Sequence, residues 1–174
     1  KAMRADVTVR AGASGLAEYE VLSRIDLKPG RYQLRIAANV GSLLTSGSLY
    51  YDIDVPDFED AAVSMSGLVV SATPTPPVAP KDALASVLPV TPTTRREFLA
   101  GDRASAFVRV YQGGKKPLAP LPVRVQLRDK DDVLIMNRLE EIAAGAFNGY
   151  RSADVNIALP VSRLTPGRYL LTVE

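Results

Sequence analysis

The sequence predicts an all-β chain built as two sandwich units, and three observations carry that reading. Short runs alternate apolar and polar residues, a proline-dense stretch separates two sets of such runs, and a Pro-Gly-Arg-Tyr turn occurs once in each set. Alternation with a period of two puts every second side chain on one face of a strand, so each run can bury one face and wet the other. No long stretch carries helical spacing, and Asn137–Ala146 is the best helical candidate.

In the first set, Ala5–Arg10 alternates and reads as a strand, followed by the turn-rich Ala11-Gly12-Ala13-Ser14-Gly15. Ala17–Leu22 is a second strand-like run. Lys28-Pro29-Gly30 reads as a turn, because proline presets one backbone angle and glycine supplies positive φ. Arg31–Ala37 resumes the alternation with Tyr32, Leu34 and Ile36 on one face. After a loop over residues 41–47, Ser48–Val55 is a further strand, and Val63–Ser71 reads as one more.

Prolines 74, 76, 77, 80, 89 and 92 then crowd the stretch 73–94. Proline lacks the N–H that a sheet interior needs, so residues 72–94 are expected to form a semi-rigid, extended linker. Asp82–Leu88 within it has the composition for a single helical turn. The second set begins with Ala104–Tyr111, closed by Gly113-Gly114. Pro122–Arg128 alternates with Val123, Val125 and Leu127 inward, and Asp129–Asp132 reads as a hairpin turn. Val133–Ile142, Ala153–Leu159 and Arg168–Val173 complete the set.

The repeat is the most specific signal. Ser23-Arg24-Ile25-Asp26-Leu27-Lys28-Pro29-Gly30-Arg31-Tyr32-Gln33-Leu34 returns as Ser162-Arg163-Leu164-Thr165-Pro166-Gly167-Arg168-Tyr169-Leu170-Leu171. A Pro-Gly turn feeding a strand whose first inward residue is Tyr is the corner of immunoglobulin-like sandwiches, where the hydroxyl bonds back to the main chain. Pro29, Gly30, Tyr32, Pro166, Gly167 and Tyr169 are therefore read as structural corner residues. The fold class is accordingly tandem immunoglobulin- or fibronectin-like sandwiches joined by a Pro-rich linker. On this reading residues 1–71 form a partial sandwich without its opening strands, and 95–174 a sandwich without its final strand. Such a shape fits a piece of a longer chain, or a subunit whose neighbour supplies the absent strands.

Composition removes several function classes. Hydrophobic residues make up 47% of the chain, enough for a packed core, and 21 basic against 19 acidic residues are well mixed. No basic block supports nucleic-acid binding. The chain has no Cys, His or Trp. Zinc, copper and haem ligand sets, and Ser-His-Asp or Cys-His catalysis, cannot be assembled from what remains. Carboxylate pairs, a Lys nucleophile or an oxygen-ligated cation stay open, yet nothing marks a pocket. No enzyme activity and no cofactor are expected. No apolar run approaches the roughly 18 residues of a membrane span. The opening Lys1-Ala2-Met3-Arg4 reads as a processed or excised start, with any export signal upstream.

Gly15–Arg24, running into Leu27–Tyr32, resembles the region after the von Willebrand factor A-like domain in secreted acidobacterial proteins. Thr94-Arg95-Arg96-Glu97-Phe98 and Ala106–Gln112 share the likeness. The resemblance implies export and a β-rich region with no assigned molecular role. The metal motif of the A-like domain itself has no counterpart in this chain.

One acidic run is the candidate metal site. Asp52, Asp54, Asp57, Glu59 and Asp60 supply oxygen ligands of the kind calcium takes, against the alternative of a solvated strand end. Arg95-Arg96 is placed to meet that run. The function expected is an extracellular or cell-surface structural or adhesive module, binding a protein partner or its own kind through open sheet edges. The alternative is a self-assembling filament subunit held by strand complementation, with Ala5–Arg10 and the strand near Tyr19 entering a neighbour. A carbohydrate-binding module is disfavoured by the absence of Trp.

Overall fold

In the computed structural model the described residues are 4, 6, 19–40 and 44–174. Their regular structure is almost entirely strand: β1 (Glu20–Val21), β2 (Gly30–Val40), β3 (Thr45–Val55), β4 (Ser64–Met65), β5 (Val69–Thr73), β6 (Val78–Ala79), β7 (Arg103–Tyr111), β8 (Leu121–Asp129), β9 (Leu134–Ile142), β10 (Ser152–Leu159) and β11 (Tyr169–Val173). Two three-residue 3-10 turns, Ala144–Ala146 and Val161–Arg163, are the helical elements among them. The expected strand Ala5–Arg10 lies almost wholly outside the described residues, as do residues 17 and 18.

Two sheets share one core. The first runs β10-β7, with β4 and β5 both on the far edge of β7. β5 pairs with residues 103–107 and β4 with 110–111, so together they make one edge strand interrupted at 66–68. The second sheet runs β11-β8-β9. Ala106, Val108 and Val110 of β7, Val123 and Val125 of β8, and Ala153, Val155 and Ile157 of β10 form a single buried cluster with Phe147. Met136, Ile142, Leu171 and Val173 pack against it from β9 and β11. Alternate residues from both sheets thus meet face to face, the packing that sandwiches use. Burying each large aliphatic side chain here contributes about 1.5–3 kcal/mol. Phe107, on the other face of β7, is also buried, with the Arg109 guanidinium 5.7 Å over its ring.

The pairing moves an expected boundary. Strands β4 and β5, which span the end of the expected first unit (to residue 71) and the start of the expected linker, hydrogen-bond to β7 and extend the sheet of the second set. Val70 and Ala72 oppose Ala106 and Ala104 and are buried with them, while Ser71 and Ser105 hydroxyls meet at 2.8 Å. The proline-rich stretch is likewise held at several points. β6 pairs in parallel with β1, the Thr93 N–H donates to the Val70 carbonyl at 2.8 Å, and Ala79 and Thr93 are buried. Asp82–Leu88 closes the expected turn, with the Leu88 N–H donating to Leu84 at 2.9 Å. Asn137–Ile142 is strand, not helix, because its backbone is engaged by β8 along the ladder from Leu121↔Ile142 to Gln126↔Asn137.

β2 and β3 form a separate antiparallel hairpin. Tyr32, Leu34 and Ile36 oppose Ile53, Tyr51 and Leu49 and make one apolar face. Arg31, Gln33 and Arg35 oppose Asp54, Asp52 and Tyr50 on the other. Ile36, Leu49 and Tyr51 remain more than half exposed, so the apolar face has no second sheet over it among the described residues.

Candidate functional site

Both Pro-Gly-Arg-Tyr turns fold as tyrosine corners. The Tyr32 hydroxyl donates to the Lys28 carbonyl at 2.9 Å and the Tyr169 hydroxyl to Thr165 at 2.7 Å, each four residues back. Each ring lies over the turn glycine, 3.8 Å from where a Cβ would stand on Gly30 or Gly167. Gly30 also adopts φ +142°, which an L side chain rarely takes, so glycine is required there by backbone geometry. Pro29 and Pro166 precede these glycines and leave no N–H to satisfy at the turn.

The acidic run does not converge. Asp52 accepts from the Gln33 amide at 3.1 Å, and Asp54 faces the Arg31 guanidinium at 3.5 Å, both across the hairpin. Asp57 turns its carboxylate onto the N–H groups of Glu59 and Asp60, at 2.9 and 3.3 Å, closing a local turn. Among the described residues no group of three or more acidic side chains is placed to hold a metal ion. The loop is instead seated on the sandwich. Phe58 packs on Tyr111 with ring centroids 4.7 Å apart, and the Gly114 N–H donates to the Glu59 carbonyl at 2.9 Å.

Arg95 and Arg96 do not reach this run either. Arg95 pairs with Asp102, bonds the Glu97 carbonyl at 3.1 Å and stacks 5.4 Å over Phe98. Arg96 donates to the Thr93 and Arg95 carbonyls. Asp102 also accepts from the Leu99 N–H at 2.9 Å, and that bond, with Arg95, holds its carboxyl below the usual range against the opposing effect of burial. These contacts close the lead-in to β7 on itself.

Two polar pairings were not signalled by any local motif. Glu20 accepts from the Thr93 hydroxyl, the Thr94 N–H and the Thr94 hydroxyl at 2.8, 2.6 and 2.6 Å. Burial works to raise the Glu20 pKa, but the bonds from Thr94, Thr93 and the Arg95 backbone outweigh it and leave it below its ordinary value. Arg109 grips Asp154 with two bonds, 2.5 and 3.0 Å, directly across the β7–β10 ladder. The Asp154 bond raises the Arg109 pKa further, so the guanidinium stays charged at every accessible pH.

Two concavities, of about 600 and 750 Å³, lie along the proline-rich stretch. The second is lined by Leu22, Pro74, Pro76 and Pro92, and its one carboxylate is the Glu20 already bonded to Thr93 and Thr94. The described strand edges differ more in character. β9 carries Arg138, Glu140 and Glu141, β10 carries Asp154 and Asn156, and the β4–β5 edge is broken at 66–68. β11 reads Tyr-Leu-Leu-Thr-Val and among the described residues pairs only with β8. It has none of the charges, prolines or bulges that guard exposed edges.

No helix among the described residues is long and apolar enough to cross a membrane. Comparisons with protein-family models, curated proteins and solved structures return no significant match.

Proposed function

We propose that the chain is a non-catalytic structural or adhesive module of a larger secreted or cell-surface protein, built of tandem immunoglobulin- or fibronectin-like units and acting through its sheet edges. The observation that carries this reading is the strand order around the Tyr169 corner. β5-β7-β10 facing β9-β8-β11 follows the order of strands A-B-E and C′-C-F in such sandwiches, with the corner at the head of F. The hairpin β2–β3, headed by the same corner, then corresponds to strands F and G of a preceding unit. Arg95 with Asp102 and Arg109 with Asp154 are tied into the turn and cross-strand contacts above, and the cluster between the sheets is apolar. Extracellular placement rests on the resemblance to secreted proteins.

The test is protease shaving of intact source cells, followed by peptide mapping. Peptides from 95–174 released from intact cells, together with any shed into the medium, are the expected result. Recovery of the chain only after lysis overturns the reading. A second reading, a self-assembling filament subunit, is favoured by two separate features: the apolar face of β2–β3 that no described sheet covers, and the β11 edge that no described strand pairs. Ordered polymers of the source-derived protein in electron micrographs would select it; monomers at high concentration would discard it.

A further inference from the structure

We infer that the edge of β11 away from β8, along which no described strand lies, takes one further antiparallel strand in a fixed register, with apolar residues at its inward positions and a carboxylate opposite Arg168. The inference rests on the proposal that the sandwich acts through its sheet edges, and it names what that edge reads.

The backbone of β11 fixes the register. Glu174 exchanges both main-chain bonds with Arg124, at 2.7 and 2.9 Å. In an antiparallel ladder bonded and non-bonded pairs alternate, so Leu170 and Thr172 face β8 with their N–H and C=O groups. Tyr169, Leu171 and Val173 therefore turn theirs to the open side, while their side chains point at the core. An incoming strand pairs with those three residues, and its own inward side chains extend the core layer of Leu171 and Val173.

The internal repeat supplies the chemistry of that strand. Tyr32, Leu34 and Ile36 are the counterparts of Tyr169, Leu171 and Val173, behind the same corner bond. In β2 those positions face Ile53, Tyr51 and Leu49 of β3. Arg31, the counterpart of Arg168, meets Asp54 of β3 at 3.5 Å. Arg168 itself is exposed and has no acceptor among the described residues. The partnered copy is also ordered as strand from Gly30, two residues ahead of its Tyr, whereas the unpartnered copy begins at Tyr169. The occupant is thus an extended segment with the pattern of β3: apolar residues at alternate positions and an Asp facing the corner arginine.

The probe is a synthetic peptide of residues 45–55, titrated into the full chain while backbone amides are followed by NMR. The amides of Leu171 and Val173 are expected to become protected on binding, with Leu170 and Thr172 protected throughout. N-methylation at Tyr51, which faces β11, should abolish binding, and N-methylation at Asp52, which faces away, should not. Arg168→Glu should weaken binding about three- to fivefold, the scale of one exposed ion pair, and an Asp54→Lys peptide should restore it. Protection of Leu171 that rises with protein concentration alone would also support the inference, with β3 of a second copy as the strand. No protection at Leu171 and Val173, or equal binding by the two N-methylated peptides, overturns it. That outcome leaves the shaving result untouched, so the failure of this inference and the failure of the module reading are separable.

Discussion

Gly113 is the position where the smallest change should have the clearest effect. A Cβ built there would stand 2.3 Å from the Ala61 carbonyl oxygen, 2.5 Å from that of Glu59 and 2.9 Å from the Glu59 carbonyl carbon. All three atoms are main chain, so no side chain can swing aside, and the 59–61 backbone must retreat by roughly 1 Å in a close-packed region. Two contacts go with it. The Gly114 N–H to Glu59 bond at 2.9 Å contributes about 1 kcal/mol, and the Phe58–Tyr111 stack about 0.5–1.5 kcal/mol. Gly113→Ala is therefore expected to destabilise by about 2 kcal/mol, or some 4–8 °C for a chain of this size. Gly101→Ala is the control, since nothing lies within 4 Å of its Cβ position, and it should stay within about 0.5 kcal/mol of the parent. Urea unfolding followed by tyrosine fluorescence suits a chain with seven Tyr and no Trp. If both variants unfold at the parental midpoint, the seating of the acidic loop on Gly113 is wrong.

Tyr169→Phe should cost about 0.5–1.5 kcal/mol in the same assay by deleting the bond to Thr165, and Tyr32→Phe should shift the global midpoint less, since its strand lies outside the shared core. Glu20 and Asp102 have folded pKa values below their unfolded ones, so their stabilisation is present above the unfolded carboxylate range and is lost as pH falls through the folded values. Thermal melts should accordingly drop on acidification below about pH 4.5, less steeply in Glu20→Gln; a parallel drop in parent and variant counts against the Glu20 staple. A double-mutant cycle on Arg109 and Asp154 should give a coupling of about 0.5–1 kcal/mol that shrinks with salt, and zero coupling would show the two bonds to be incidental. Amide exchange should be fastest in β2–β3 and slowest in β7, β8 and β10, because a two-stranded hairpin without a covering sheet is marginal in water; equal protection would mean that the hairpin's apolar face is covered.

The parts of this fold that sequence made legible are those set by local periodicity. Ala104–Tyr111, Pro122–Arg128 and Ala153–Leu159 are strands as read, and the structure buries Val123, Val125 and Leu127 on the expected side. The Pro-Gly-Arg-Tyr corner was legible for the same reason, since its hydrogen bond spans only four residues. Partner choice was not. Val63–Ser71 reads as a strand, but alternation fixes a face and says nothing of which strand lies alongside, so its union with β7 across the proline-rich stretch was invisible. Glu20 with Thr93 and Thr94 spans more than seventy residues and leaves no pattern in either segment. The acidic run misled through proximity in sequence: strand pairing hands Asp52 and Asp54 to Gln33 and Arg31, while Asp57 caps its own turn. Arg95 found Asp102, seven residues on, before any distant carboxylate.

The two corners act as a comparison made within one molecule. The same four residues make the same bond, the same ring-over-glycine contact and the same strand direction in both. The largest differences are non-local. Behind Tyr169, Leu171 and Val173 lie on a core contributed by β7 and β10, whereas behind Tyr32, Ile36 is 53% exposed. The Tyr32 corner is thus made with no described sheet over its strand, and a sandwich needs more than the corner: a facing sheet must remove apolar area from water at about 25 cal/mol per Å². Among the described residues each copy holds what the other lacks, since β2 has a strand at its edge but no sheet over its face, and β11 has the sheet but no second strand at its edge. Both surfaces, the Tyr32–Leu34–Ile36 face of β2 with its β3 partners and the Tyr169–Val173 edge, are uncharged among the described residues, so what either would add on contact with a further strand or sheet is apolar burial and backbone bonds.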